Sequence, residues 1–264
     1  MTTGRLILAS THIGNPQDIP VRALEALRSA DLTVFESESQ ARQFLKAAGI
    51  TRTYMYYSEH DESSTREAVR EGLKKGSTIT YMSDQGSPGL EDPGHRMAAM
   101  AYELGATVSV IPGPSAVTAA ISACPFAVRQ FVYAGLPPRE PEARVTFLKA
   151  AVRYNSTVVL MDTPYRLAAL SQDLGRLDDV DRKRPLLLAL DMSGEGERYW
   201  SGTVGRVGEF VATLGETRIN FVMVIGPGFD EMRANRRPQT RAPKFIKKKK
   251  PRRPLEIRPP ARRK

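Results

Sequence analysis

Residues 83–95 read S-D-Q-G-S-P-G-L-E-D-P-G-H, with three glycines, two prolines and three carboxylates in thirteen residues. Two other loops share this character: S-T-H-I-G-N at 10–15 and P-G-P-S-A at 112–116. Glycine lets a ligand approach backbone N–H and C=O groups closely, and proline fixes the loop shape so that binding costs less ordering entropy. Neither of the usual phosphate-cradling glycine spacings is present. A carboxylate at Asp84 repels a triphosphate, yet it accepts hydrogen bonds from ribose hydroxyls and pairs with an ammonium or sulfonium. The chemistry therefore points to a cationic or neutral nucleoside. Glu91 and Asp92, just before Pro93, have a simpler reading, because an acid followed by proline opens a helix and favours its positive end. His12 either orients a ligand or is a hydrogen-bonded turn residue. Glu36, at a predicted strand end, either accepts a proton in a reaction or caps the helix that follows.

These loops each follow a short apolar run that reads as a strand. Strands are expected at 5–9, 32–35, 53–57, 78–82 and 107–111, with helices at 21–29, 40–48, 65–75 and 96–104; Gly76 and Gly105 stand where the last two helices should end. This alternation predicts an α/β domain around a mostly parallel sheet, spanning 1–112. Pro112-Gly113-Pro114 then breaks the chain, and Ser115 is placed to cap a helix over 115–123. A second α/β domain, 113–231, is expected with strands at 131–133, 157–161, 186–190, 198–201 and 219–225, and helices at 142–154, 166–174 and 207–214. Two such domains leave a cleft at their junction, where ligands favour strand carboxyl ends.

The charge is unevenly spread. The chain of 264 residues carries a net charge of +10, but residues 232–264 hold fifteen Lys/Arg against one acid, Glu256. With six prolines and no periodicity, this segment reads as a disordered basic tail suited to nucleic acid rather than to a membrane. One cysteine, Cys124, excludes an intramolecular disulfide and fits a reducing cytosol. With three histidines there is no Cys/His spacing for zinc, so no metal is expected. Apolar runs are too short for a signal peptide or a membrane span, which predicts a soluble cytoplasmic protein.

In order along the chain, T-H-I-G-N, S-D-Q-G-S-P-G-L-E-D-P-G, I-P-G-P-S-A-V and D-T-P-Y-R resemble the successive motifs of the tetrapyrrole methylase family, and within it the branch that methylates small-subunit ribosomal RNA. The likeness runs from residue 5 to about 226. It implies the two-domain class III methyltransferase fold, usually a homodimer, with S-adenosylmethionine in the interdomain cleft. The implied reaction is methylation of a cytidine ribose 2′-oxygen in 16S rRNA, on the small ribosomal subunit. Matching motifs place the cofactor near His12, Asp84, Gly86, Ser87, Ser115 and Ala116, with Asp162 and Asn220 on bordering strands. A ribose hydroxyl needs an acceptor for its proton, and Glu36 is the candidate.

One departure, His12, falls beside the expected cofactor, and the others fall in loops expected to face the substrate. The family's T-P-I-G-N proline is His12; its E-D-T-R is Glu36-Ser37-Glu38-Ser39; its E-S-P-H-R is Asp162-Thr163-Pro164-Tyr165-Arg166; and its R-E-L-T-K is Leu190-Asp191-Met192-Ser193-Gly194. Two alternatives therefore stay open: a methyltransferase acting on a tetrapyrrole or other small molecule, and an RNA- or ribosome-binding protein without catalysis.

Overall fold

The computed structural model describes residues 3–57, 63–215 and 218–228; the basic tail at 232–264 lies outside the described residues. The first sheet is built from β1 (Arg5–Ala9), β2 (Leu32–Phe35), β3 (Met55–Tyr56), β4 (Thr78–Met82) and β5 (Thr107–Ile111). All its pairs are parallel, in the order β3-β2-β4-β1-β5. Between the strands run α1 (Val21–Ser29), α2 (Glu38–Ala47), α3 (Ser63–Lys74) and α4 (Gly94–Glu103).

The period-two alternation of β1 decides how those helices are layered. Leu6 and Leu8 join a core with Val69 and Leu73 of α3 and Met97 and Met100 of α4. Ile7 and Ala9 face the opposite core, with Ala23 and Leu27 of α1 and Ala41, Phe44 and Leu45 of α2. Both faces of the sheet are thus covered, which is why these strands read as continuous apolar runs. Gly76 and Gly105, at φ 88° and 66°, take the left-handed conformation expected after α3 and α4.

Helix α5 (Ala116–Ser122) leads into the second sheet, made of β6 (Phe131–Gly135), β7 (Thr157–Asp162), β8 (Pro185–Leu190), β9 (Arg198–Thr203) and β10 (Phe221–Ile225). Its other helices are α6 (Pro141–Ala151), α7 (Leu167–Leu174), α8 (Asp179–Arg182) and α9 (Val207–Ala212). The strand order is β6-β7-β10-β8-β9. The expectation of a mostly parallel arrangement fails here: only β6 and β7 are parallel, and the β7–β10, β10–β8 and β8–β9 pairs are antiparallel. A seven-residue turn joins β8 to β9 as a hairpin, and β10 returns between β7 and β8. One face packs on α6, α7 and α9 through Leu148, Leu170, Leu174 and Val207. The other receives Val117 and Ala120 of α5, with Ile13 reaching across from the first loop.

Three local details differ from the expected elements. Strand β3 is shorter than expected. Helix α2 begins at Glu38 because the Ser37 hydroxyl accepts from the Gln40 N–H. Ser115 occupies the N-cap position of α5, but its side chain makes no capping hydrogen bond. Among the described residues no helix is long and apolar enough to cross a membrane.

Candidate functional site

Strand order brings the unusual loops together. Phe35 pairs with Met82, Met82 with Ala9 and Ala9 with Ile111, so the last residues of β2, β4, β1 and β5 form one row. Glu36, Ser83–His95, Ser10–Asn15 and Pro112–Ala116 therefore leave the sheet side by side at its carboxyl edge.

The loops are then stitched. Thr11 N–H donates to Gly86 O at 2.8 Å, and Gly86 N–H donates to His12 O at 3.0 Å. The Ser10 hydroxyl donates to Ile111 O at 3.0 Å and lies 2.9 Å from the Ser87 hydroxyl, which donates to Pro114 O at 3.1 Å. Gly86 has φ 75°, and a Cβ there would sit 3.3 Å from both Ile13 Cγ2 and Pro114 O. Gly86 and Ser87 thus hold the loops against one another.

At the end of β2 the carboxylates interlock. Glu36 Oε2 accepts from the Asp84 N–H at 2.9 Å, while Asp84 Oδ1 accepts from the Ser37 N–H at 3.1 Å and the Ser37 hydroxyl at 3.0 Å. The cap of α2 is Ser37, so the helix-capping reading of Glu36 is corrected: its carboxylate accepts from the neighbouring loop instead. Burial pushes the Asp84 carboxyl above its ordinary value, with the two Ser37 hydrogen bonds opposing.

Asp92 does open α4, accepting from Gly94 N–H at 2.6 Å and Gly89 N–H at 2.8 Å. Glu91 does not. It sits at φ 60° and accepts from the Tyr133 hydroxyl of β6 at 3.0 Å, joining the two sheets' edges. His12 is half-buried, its Nδ1 is enclosed without a hydrogen-bond partner, and desolvation lowers its pKa against the raising effect of Asp18. Its reading as a hydrogen-bonded turn residue is not what the structure shows at Nδ1.

The second sheet contributes through another row, Asp162–Phe221–Leu190. Asp162 Oδ1 accepts from Thr163 N–H at 2.7 Å and pairs with Arg166 at 3.0 Å, whereas Oδ2 is buried without a partner. Burial is the largest effect on this carboxyl and raises its pKa. Asn220 and Asp191 exchange bonds: Asp191 N–H to Asn220 O at 2.8 Å, and Asn220 N–H to Asp191 Oδ1 at 3.0 Å. The turn they open holds Asp191 and Ser193 at φ 42° and 65°. It presses on the first loop, since a Cβ on Gly14 would lie 2.4 Å from Met192 O.

A chain of recesses follows the seam. His12 and Asp84 line one of 340 Å³, with Phe35 and Phe44. Glu36 and Asp84 line one of 750 Å³, with Glu91, Asp92, His95, Tyr133 and Leu136. Ala116, Asp162 and Asn220 line one of 120 Å³, with Ile13, Gln85 and Met192. Ser115 lines one of 330 Å³, which shares Ile13 and Met192 with the preceding recess. Ile13, Gln85 and Met192 are not among the residues expected at the cofactor, although Gln85 and Met192 both stand where the sequence departs from the family pattern. Ile13 is apolar within a polar loop, which is a usable signal.

Among the described residues no lysine or arginine lines any of these four recesses, and two carboxylates, half-buried Asp84 and buried Asp162, come from opposite sheets. Such a lining suits a ligand with an ammonium or sulfonium and hydroxyl donors, and it opposes a polyphosphate. The unpartnered buried acceptor on Asp162 fits such a group as well.

Known proteins share both the sequence and the architecture. Residues 5–208 match the model of the Tetrapyrrole (Corrin/Porphyrin) Methylases. The ribosomal RNA small subunit methyltransferase I of Neisseria meningitidis serogroup A is 35% identical over 86% of this chain and 78% of its own. The protein of that name from Mycobacterium tuberculosis is 30% identical over 83% of this chain and 78% of its own. Among solved structures, a diphthine synthase aligns with TM-score 0.67 at 16% identity, covering 87% of this chain and 94% of its own. The uroporphyrin-III C-methyl transferase from Thermus thermophilus, complexed with S-adenyl homocysteine, aligns with TM-score 0.59 at 20% identity, covering 84% and 97%. By sequence and by fold, this chain belongs to the tetrapyrrole methylase family.

Proposed function

We propose that this chain is an S-adenosylmethionine-dependent methyltransferase of small-subunit ribosomal RNA, acting on the ribose 2′-oxygen of a cytidine in 16S rRNA. The observation that carries the cofactor is the seam itself, where carboxylates from both sheets line recesses that hold no lysine or arginine among the described residues. The acceptor follows from relatives at 30–35% identity whose names specify the small-subunit RNA.

When bound, S-adenosylmethionine supplies the methyl group as an electrophile. His12, Asp84, Ser115, Ala116, Asp162 and Asn220 are the residues that would hold it, with Gly86 and Ser87 maintaining the loop contacts around it. The protein's part is chiefly alignment of donor and acceptor and removal of the hydroxyl proton. We assign proton acceptance to Glu36. It lines the 750 Å³ recess beside Asp84, at the end of β2, and accepts from the Asp84 N–H. That bond also orients the Glu36 carboxylate.

Substitution of the family's E-D-T-R run leaves this machinery coherent, since Ser37 both caps α2 and binds Asp84. This favours an active enzyme over a binding protein without catalysis. The reading includes a homodimer, as the family resemblance implies, a cytoplasmic setting beside the ribosome, and the basic tail as an arm that grips RNA by counterion release.

The test is transfer of labelled methyl groups to small ribosomal subunits from a strain lacking this protein, followed by mass spectrometric mapping. A 2′-O-methylcytidine in 16S rRNA is expected. No label on subunits or on free rRNA overturns the assignment, and label on a tetrapyrrole instead moves the acceptor to small molecules.

A further inference from the structure

The 340 Å³ recess on the seam carries groups that a sulfonium and ribose hydroxyls do not require. Gln40, Gln43, Phe44 and Ala47 line it at the three- and four-residue spacing of one face of α2. Phe44 and Phe35 are buried and give it an aromatic floor, their ring centroids 5.8 Å apart and tilted by 56°, and Tyr54 meets the Phe35 ring edge-on at 5.6 Å. Gln40 gives its backbone N–H to the Ser37 hydroxyl, but among the described residues neither carboxamide side chain has a hydrogen-bond partner. His12 lines the same recess with Nδ1 enclosed and unpartnered, so Nε2 is the ring nitrogen left to meet a ligand.

An aromatic floor with amide and imidazole groups above it complements a nucleobase, which has flat apolar faces and a rim of donors and acceptors. Each carboxamide presents an acceptor and a donor side by side, the pair that bonds a base edge in bidentate fashion. An entirely apolar ligand would leave both amides desolvated and unpaired. The match is one of shape and hydrogen-bond edges rather than of charge. Every described residue of the lining lies between Thr11 and Asp84, in the first α/β unit, whereas Asp162 and Asn220, assigned above to the cofactor, line another recess of the seam. Asp84 also lines the 750 Å³ recess of Glu36, so the two cavities adjoin, and a base held in the smaller one has its ribose beside the proposed proton acceptor.

Resting on the methyltransferase reading above, we propose that the 340 Å³ recess takes the flipped-out base of the target nucleotide, with Gln40 and Gln43 reading its edge above the floor of Phe35 and Phe44. Sequence-specific RNA readers take bases that are unstacked, and a base drawn out of its stack brings its own 2′-hydroxyl to a recessed acceptor that a stacked nucleotide does not reach. Gln40 stands three residues after Ser37, whose hydroxyl donates to Asp84 at 3.0 Å, so the base-reading turn of α2 is tied to the carboxylates at the end of β2.

The experiment compares the full chain with Gln40→Met, Gln43→Met, the double variant, and Gln172→Met, the same change at an exposed site on α7. Small subunits are reconstituted with 16S rRNA that is either intact or abasic at the nucleotide the unaltered chain methylates. On intact subunits the double variant should lose about ten- to hundredfold in kcat/KM, the worth of a bidentate base contact. On abasic subunits the double variant and the unaltered chain should agree within about threefold, because the deleted contact has no partner left to lose. Binding of S-adenosylmethionine by calorimetry and Tm should stay as in the unaltered chain, and Gln172→Met should change none of these. Unchanged kcat/KM on intact subunits overturns the proposal, as does an equal loss on abasic ones. Weaker binding of S-adenosylmethionine in the double variant also overturns it, since the recess then holds the adenine of the cofactor. If the unaltered chain transfers no methyl group, the functional reading fails, and binding of free cytidine decides the recess alone. Magnetisation transferred from the protein to the base protons of cytidine, and lost in the double variant, supports the proposal; equal transfer in both chains, or none in either, overturns it.

Discussion

Replacing Asp84 by asparagine removes a charge while keeping nearly the same shape. The amide oxygen can still accept from the Ser37 N–H and hydroxyl, now at 3.1 and 3.0 Å from Oδ1, and the Asp84 N–H can still donate to Glu36. The fold should therefore survive with Tm within a few degrees. Cofactor binding should not survive unchanged. A hydrogen bond to a charged group is worth about 1.5–3 kcal/mol and a neutral one about 0.5–1.5, so roughly 1 kcal/mol is lost on that count. A unit cation about 5 Å away at an effective dielectric near 20 would add about 3 kcal/mol, which partial exposure of Asp84 cuts by half or more. The sum predicts about ten- to hundredfold weaker binding of S-adenosylmethionine, measured by calorimetry. Burial holds the Asp84 carboxyl above its ordinary 3.8, so cofactor affinity should strengthen as pH rises through that raised pKa, and Asp84→Asn should flatten the profile. Stability should move the opposite way. A carboxyl with a raised folded-state pKa contributes stability that is fully present below the unfolded value and is lost as pH rises through the folded one. If Asp84→Asn binds the cofactor within about twofold of the unaltered protein at every pH, Asp84 does not face the ligand and the seam assignment is wrong.

Glu36→Gln keeps an acceptor for the Asp84 N–H, so cofactor binding should hold while kcat falls about 10²–10⁴-fold; a kcat within threefold of normal would remove Glu36 as proton acceptor. Gly14→Ala puts a Cβ 2.4 Å from Met192 O, too close by about 1 Å, and should cost roughly 1–3 kcal/mol in denaturant unfolding together with weaker cofactor binding; neither change would mean that the two loops are not in register. Arg184 is 2% exposed and donates to the carbonyls of Val152, Tyr154, Ser156 and Gly226 at 2.6–3.2 Å. Arg184→Met leaves those carbonyls without these donors, so about 3–5 kcal/mol should be lost and Tm should fall about 6–20 °C by calorimetry; a drop below 2 °C would contradict the clamp.

The strands and most helices were legible because each carries its own periodicity and end signals. The apolar run Leu6–Ala9 reads as a buried strand, and Gly76 and Gly105 mark helix ends without knowledge of anything distant. The glycine- and proline-rich composition of 83–95 likewise marked a loop that departs from an ordinary connection, and the order of motifs was enough to indicate the family. Individual roles within the loops were less accessible. Glu91 and Asp92 are adjacent in sequence, yet Asp92 accepts from the first N–H of α4 while Glu91 reaches Tyr133 on the other sheet. Gln85, Ile13 and Met192 meet around one recess from three distant segments. Strand direction in the second sheet was also hidden, because an antiparallel return through β10 depends on which strands pair and not on the pattern within any of them.

Local sequence determined the elements, the character of the loops and the charge of the tail, since propensity, periodicity and ionisation act over a few residues. The tertiary structure alone decided that Glu36 meets Asp84, that Asp162 faces Ile13 across a seam, and that Gln40 and Gln43 share a recess with His12 and Asp84. Those juxtapositions arise from strand order and register, which are settled by the collective burial of two cores whose partners lie tens of residues apart.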